Sequence, residues 1–290
     1  MIPAAFDYHA PATLSEAVAL LSRYGEGAKV LSGGQSLLPL LKLRLGHAEH
    51  LVDIGRIPGL EYIKEEGGML RIGGRTRESA LEQSELIRGR YPILYDTVRV
   101  IADPLVRNLA TVGGNLAHGD PGNDHPATML ALGAQVVAVG PPGERVIPID
   151  KFFLGLFTTA LQPDEILTEI RVPSPPPRSG GAYVKLERKV GDYATAAAAA
   201  QVTLGANGAF DHVGLALTNV GPTPVRSQDA EDALIGKRPT DAVIAEAARR
   251  AADASSPTPD RRGSVEYKRD MARVLAGRAL KQAVQRAGGQ

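Results

Sequence analysis

Two short segments of similar make-up carry paired glycines: Ser32-Gly33-Gly34-Gln35-Ser36 and Thr111-Val112-Gly113-Gly114-Asn115. A residue without a Cβ permits tight turns and lets backbone N–H groups come close to an anion, while Ser, Thr and Asn add further donors. The two segments therefore suit a diphosphate, although glycine pairs are more often plain chain reversals. Neither has the G-x-G-x-x-G spacing of a dinucleotide fingerprint or the G-x-x-x-x-G-K-[ST] spacing of a nucleoside triphosphatase loop. Lys29-Val30-Leu31 before the first pair reads as a strand, and the apolar run Leu37 to Leu43 after it reads as a helix start despite Pro39. The local order is strand, glycine turn, helix.

Around these turns the first half mixes both element types. Thr13-Leu14-Ser15-Glu16 predicts a capping box, with Ala17, Leu20, Leu21 and Tyr24 on one helical face and Gly25 as the stop. Segments 50–54, 69–73, 135–139 and 166–172 read as strands, Thr76-Arg77-Glu78-Ser79 opens a helix, and 93–101 and 126–132 read as helices. Ala102 to His125 has no clear period and is rich in Gly, Asn, Asp and Pro, as long functional segments often are. The run Pro173-Ser174-Pro175-Pro176-Pro177-Arg178-Ser179-Gly180-Gly181 marks the domain boundary, giving domains 1–177 and 178–290. Beyond it, 182–188, 196–204 and 213–218 read as strands, although the alanines Ala196 to Ala200 favour helix on propensity. Helices follow at 241–253 and 265–287, the last expected to bury Tyr267, Met271, Val274, Leu275 and Val284. Its Lys268, Arg269, Arg273, Arg278, Lys281 and Arg286 read as a solvated face. The pattern is α+β.

Composition narrows the function. With 33 Lys and Arg against 32 Asp and Glu, the net charge of +1 supplies no field for wrapping nucleic acid. There is no cysteine, so the chain can build no disulfide framework, zinc–thiolate site, iron–sulfur cluster or thiol nucleophile. Any such metal centre it serves lies on a partner. The opening residues have neither the basic stretch nor the apolar run of a secretory signal, which reads as cytoplasmic. Tyr193 to Phe210 approaches bilayer length, but its Ala, Gly, Thr, Gln and Asn gain little in hydrocarbon, so no transmembrane segment is expected.

Other candidate residues admit two readings each. His118-Gly119-Asp120-Pro121-Gly122-Asn123-Asp124-His125 gathers histidines and carboxylates, but its prolines and glycines do not give helical ligand spacing, and a polar turn reads better than a metal site. Asp124 could accept hydrogen bonds from ribose or ribityl hydroxyls. Tyr193, beside Gly191, Ala194 and Thr195, is either a core tyrosine or a ring that stacks on a planar ligand. Lys185 and Arg188 read as solvated strand residues.

At these residues the sequence resembles the flavin subunits of the molybdenum hydroxylases, and looks most like those of the carbon monoxide-oxidising branch. The likeness runs through Ile2-Pro3 to Tyr8-His9, Ser32 to Leu37, Glu49-His50-Leu51-Val52-Asp53, Ile101-Ala102-Asp103-Pro104, Thr111 to Asn115, Gly119 to Asp124 and Lys189 to Ala200. Ser32 and Gln35 stand where the family's first turn usually has Ala and often His. The resemblance implies an FAD-binding fold of the vanillyl-alcohol oxidase type, with two α+β subdomains at about 1–55 and 56–177, followed by a smaller α+β C-terminal domain. It implies that Val30, Leu31, Ser32, Gly33, Gly34, Gln35, Ser36 and Leu37, with Thr111, Val112, Gly113, Gly114 and Asn115, line the diphosphate and ribityl chain. Ile101, Asp124, Leu167 and Lys185 would complete the pocket, and Tyr193 would cover one face of the isoalloxazine.

The partners implied are a large subunit with the molybdenum cofactor and copper and a small subunit with two two-iron two-sulfur clusters, assembled as a dimer of heterotrimers. Electrons would pass through FAD to a quinone or another acceptor, and the assembly could sit at the inner face of the membrane through its partners. No residue of this chain would be catalytic toward the primary substrate. Rival readings are the flavin subunit of a purine, nicotinate or aromatic-thioester hydroxylase, a free-standing flavin reductase, and a flavin-free scaffold.

Overall fold

A computed structural model of the chain describes residues 2–288. The chain begins with three parallel strands in the spatial order Asp7–His9, His50–Asp53, Ala28–Leu31. Parallel strands need crossover connections, and the helix Leu14–Tyr24 supplies the first, from one edge strand to the other. Its capping box forms as expected: the Glu16 amide donates to the Thr13 hydroxyl at 3.2 Å, and the Thr13 amide donates to the Glu16 carboxylate at 3.3 Å. Gly25 ends it with φ +52°. Ala17, Val18 and Leu21 pack on Ala28 and Val52. The strand Ala28–Leu31 then delivers its carboxyl end to the first glycine turn, the end at which open parallel sheets bind ligands.

A five-stranded antiparallel sheet follows, in the order Ile63–Glu66, Met69–Gly73, Ile166–Pro173, Gln135–Gly140, Gly143–Pro148. Its outermost strands, Ile63–Glu66 and Gly143–Pro148, were not expected from sequence, because edge strands face water and carry little apolar pattern. The segment expected to be irregular, 102–125, holds two short helices, Pro104–Arg107 and Val112–Ala117. Asp103 caps the first by accepting from the Val106 amide at 3.0 Å, and Thr111 caps the second by accepting from the Gly114 amide at 3.2 Å. The second glycine pair thus lies in the first turn of a helix and not in an open loop.

The C-terminal part has a four-stranded antiparallel sheet, Ser179–Leu186, Ala196–Leu204, Phe210–Thr218, Val225–Arg226, in that order. Three helices follow: Gln228–Leu234, Asp241–Asp253 and Val265–Arg286. The alanine run is a strand because both of its faces are buried. Ala196, Ala198 and Ala200 share a core with Ala276, Ala279 and Leu280 of the long helix, while Ala197 and Ala199 join the core containing Ile93 and Ala127. Small side chains let helices close on the sheet from both sides, and that packing outweighs intrinsic propensity. Gly180 serves the same approach, since a Cβ there would lie 2.2 Å from the Ala283 carbonyl oxygen.

The long helix departs from expectation at its start. Tyr267 is 45% exposed, whereas Lys268 is only 2% exposed. The Lys268 ammonium is held by the Thr258 carbonyl at 3.1 Å and by Asp260 at 2.9 Å, so its burial is paired and tolerable. Arg286 is also engaged, donating to Asp96 of the helix Pro92–Arg99. Among the described residues no helix is long and apolar enough to cross a membrane.

Candidate functional site

A cavity of about 540 Å³ opens between the parallel sheet, the antiparallel sheet and the C-terminal domain, and both glycine turns line it. The two turns are joined side by side: the Ser32 and Thr111 hydroxyls lie 3.0 Å apart. A Cβ at Gly33 would fall 2.3 Å from the Leu109 carbonyl oxygen, and one at Gly113 would fall 2.4 Å from that of Gly74. These two glycines are therefore demanded by backbone packing within the protein, and the Gly113 amide is already taken by the Gly74 carbonyl at 3.1 Å. Their packing creates the wall; the donors on it are Ser32, Gln35, Ser36 and Thr111. Ser36 places no side-chain cap on the helix Leu37–Lys42, whose Leu38 amide donates to the Gly34 carbonyl at 3.1 Å and whose third residue, Pro39, has no N–H.

The structure brings nearly every expected residue to this cavity. Val30, Ser32 to Leu37, Ile101, Thr111, Gly113 to Asn115, Asp124, Leu167, Lys185 and Tyr193 all line it. Leu31 and Val112 do not. Leu31 packs on the cluster of Leu41, Ala48 and Leu51, and Val112 is fully buried in the large central core. Each lies beside lining residues in a strand or helix, so its side chain turns away. Sequence reasoning missed one wall, formed by Leu161, Gln162, Glu165 and Ile166 ahead of the central strand. Leu161-Gln162-Pro163-Asp164-Glu165 looks like any polar turn, and carries no signal of a site.

At the inner end lies a buried polar cluster. Tyr183 and Lys185, two apart on one strand, share a face. The Tyr183 hydroxyl donates to Asp124 Oδ1 at 2.6 Å, and Lys185 Nζ donates to Asp124 Oδ2 at 2.9 Å and to the Val100 carbonyl at 2.9 Å. Lys185 is thus buried rather than solvated, and each Asp124 oxygen already accepts one hydrogen bond from this cluster. Burial raises the Asp124 carboxyl above its ordinary range while the Lys185 charge opposes that rise. Burial likewise raises the Tyr183 phenol, with the Asp124 carboxylate adding to the effect. Burial lowers the His118 imidazole, against the pull of Asp120 at 4.0 Å.

Does this wall suit a long, polar, phosphorylated cofactor? Asn115 Oδ1 answers most directly: it is buried, has no hydrogen-bond partner, and belongs to a lining residue. An orphaned amide in a cavity is matched by a ligand hydroxyl or N–H. The hydroxyls of Ser32, Ser36 and Thr111 and the Gln35 amide provide neutral donors suited to a diphosphate. Tyr193, 46% exposed, stands at the mouth where a planar ring would meet it. The residues fit such a group.

Residues 4–175 match the family model described as the FAD-binding domain in molybdopterin dehydrogenase, and residues 181–283 match that of the CO dehydrogenase flavoprotein C-terminal domain. The chain belongs to the FAD-binding subunits of the molybdopterin dehydrogenases. This flavoprotein is 47% identical to the carbon monoxide dehydrogenase medium chain of Hydrogenophaga pseudoflava, with 97% of each chain covered. It is 44% identical to the medium chain of Afipia carboxidovorans, with 99% of each covered. It superposes with a TM-score of 0.96, at 48% identity and 99% coverage of both chains, on a structure of the Hydrogenophaga pseudoflava enzyme that lacks the Mo-pyranopterin moiety of its cofactor. The cavity of the flavoprotein is thus the place in which its FAD-binding domain and its C-terminal domain meet.

Proposed function

We propose that this chain is the FAD-carrying, electron-transferring medium subunit of an aerobic carbon monoxide dehydrogenase. The observation that carries this is identity of 44–47% to two carbon monoxide dehydrogenase medium chains, sustained from end to end. In this reading carbon monoxide and water become carbon dioxide, two protons and two electrons on a large subunit that holds molybdenum and copper. A small subunit with two two-iron two-sulfur clusters passes the electrons on, and this chain, having no cysteine, contributes no cluster ligand. The complex is a dimer of heterotrimers, cytoplasmic, and delivers its electrons to a quinone or another acceptor.

Bound FAD would supply the exchange between single electrons from the clusters and the electron pair given to the acceptor. The chain's own residues bind and orient it. Val30 and Ser32 to Leu37, with Thr111 and Gly113 to Asn115, would line the diphosphate and ribityl chain, while Leu31 and Val112 face the core behind them. Asn115 Oδ1 accepts from a hydroxyl of the cofactor. Ile101, Asp124, Leu167 and Lys185 close the pocket, and Tyr193 covers one face of the ring. Residues 1–177 form the FAD-binding domain in two subdomains, about 1–55 and 56–177, and 178–290 the C-terminal domain.

The test is spectroscopic. The purified complex should release one FAD per copy of this chain into the supernatant on acid precipitation, and carbon monoxide should bleach its cluster and flavin bands. The chain alone, loaded with FAD, should be bleached by dithionite and be indifferent to carbon monoxide. A complex that oxidises purines or nicotinate but not carbon monoxide would move the chain to a sister hydroxylase, and a complex without flavin would end the reading.

A further inference from the structure

Arg262 lies outside the cavity lining, on a short turn of the C-terminal domain, yet it reaches the segment that carries Tyr193. Its Nη2 donates to Asp192 Oδ1 at 2.6 Å. The same oxygen accepts from the Tyr193 backbone amide at 2.8 Å, and Asp192 Oδ2 accepts from Arg188 Nε at 2.9 Å. The Arg262 guanidinium also stands 5.8 Å from the centroid of the Tyr193 ring, within cation–π reach. We propose that Arg262 is a positioning residue, which acts through Asp192 to fix the Tyr193 ring at the mouth of the flavin cavity.

The geometry gives Arg262 a firm base. Its amide donates to Asp260 Oδ1 at 2.7 Å, and Asp260 and Gly263 pair as a bridge. Asp260 Oδ2 in turn meets the ammonium of Lys268, 2.9 Å away and buried at the start of the long helix. The turn is therefore pinned to the C-terminal domain by a buried charge, which explains why a lysine occupies a core position there. On the other side the segment is braced against the FAD-binding domain. Gly191 has φ +80°, and a Cβ there would fall 2.6 Å from the Ala102 carbonyl oxygen, next to the lining residue Ile101. The segment carrying Tyr193 is thus held on two sides, with Gly191 resting on the FAD-binding domain and Asp192 tethered within its own.

A ring held this way has its angle set by the C-terminal domain. An ordered ring stacks on a flat ligand with less entropy left to lose than a free one. This inference rests on the flavin reading above, and adds to it a residue of the C-terminal domain that does not itself line the cavity.

The experiment uses the intact complex, with Arg262→Ala, Arg262→Lys, Asp192→Asn, Tyr193→Ala and the double variant Arg262→Ala/Tyr193→Ala. Two readouts apply: the visible circular dichroism of bound flavin, and the rate of flavin release on dilution. Arg262→Ala and Asp192→Asn should change the flavin band in the same sense and speed release about tenfold, the scale of a coupling near 1.4 kcal/mol between contacting groups. Arg262→Lys should recover part of the loss. The double variant should match Tyr193→Ala alone. An Arg262→Ala effect that persists undiminished without the tyrosine ring would overturn the proposal, as would a silent Arg262→Ala. Should Arg262→Ala fail to fold, Asp192→Asn and Arg262→Lys carry the same comparison. Failure of the flavin reading is separate, since it would leave the wild-type complex without FAD.

Discussion

Lys185 Nζ lies 2.9 Å from Asp124 Oδ2, with the two side chains 2% and 7% exposed. Two opposite charges taken out of water in this way depend on each other: deleting one leaves the other buried and uncompensated. Lys185→Met should therefore destabilise the chain by about 3–5 kcal/mol, read from urea unfolding midpoints. Combining it with Asp124→Asn should recover a good part of that loss, because the stranded charge is gone. Equal losses in the single and double variants would show that the cost is packing and not charge.

The glycines of the two turns separate into two kinds. At Gly33 an added Cβ meets the Leu109 backbone at 2.3 Å, while at Gly114 its close neighbour is the Thr111 hydroxyl at 2.7 Å. Backbone cannot yield; a hydroxyl can rotate, at the cost of a helix cap. Gly33→Ala should thus cost stability on the scale of core overpacking, roughly 1–3 kcal/mol or more. Gly114→Ala should cost about 1 kcal/mol, the worth of a cap, and lose flavin beyond what its stability predicts. Flavin titration set beside thermal melts checks the pair. If Gly33→Ala melts like wild type, the contact between the turns is not rigid.

What the sequence allowed one to read, and what it hid, divides along physical lines. The capping box at Thr13, the strand into Ser32 and the domain-spanning choice of lining residues were legible, because each depends on local chemistry or on motifs quoted residue by residue. Leu31 and Val112 were included with their neighbours, since a contiguous motif does not say which side chains point inward. Lys185 and Lys268 looked solvated because lysine usually is; only the fold supplies Asp124 and Asp260 as their partners. Tyr267 and Lys268 differ by one helical position, about 100° of rotation, which a weakly apolar helix does not resolve. The wall at Leu161 to Ile166 has no local signature at all.

The alanine strand makes a prediction of its own. Ala198 and Ala199 are fully buried on opposite faces, against the long helix and against the core that holds Ile93. Either residue enlarged to Leu should destabilise the chain by about 1–3 kcal/mol through overpacking. Ala199→Leu should also disturb the flavin more than Ala198→Leu does, because its face belongs to the core reached by Tyr183 beside Asp124. Flavin content normalised to folded protein distinguishes the two.

His118 gives the chain a pH dependence with a definite sign. Its side chain is 18% exposed, it lines the cavity, and its ring sits 5.2 Å from that of Phe157. Burial lowers its imidazole, and Asp120 only partly offsets this. In the unfolded chain the imidazole titrates near ~6.5, so between that pH and its lower folded value the unfolded state binds more protons. Stability from this residue is then complete above the unfolded value and is lost as the pH falls toward the folded one. His118→Gln should flatten the pH dependence of the urea midpoint between about pH 7 and 5, while changing the midpoint little at pH 8. The other histidines stay in both proteins, so the difference between the two curves isolates this ring. Parallel curves would mean that His118 keeps its proton equilibrium on folding, and that the cavity wall around it is wetter than the geometry indicates.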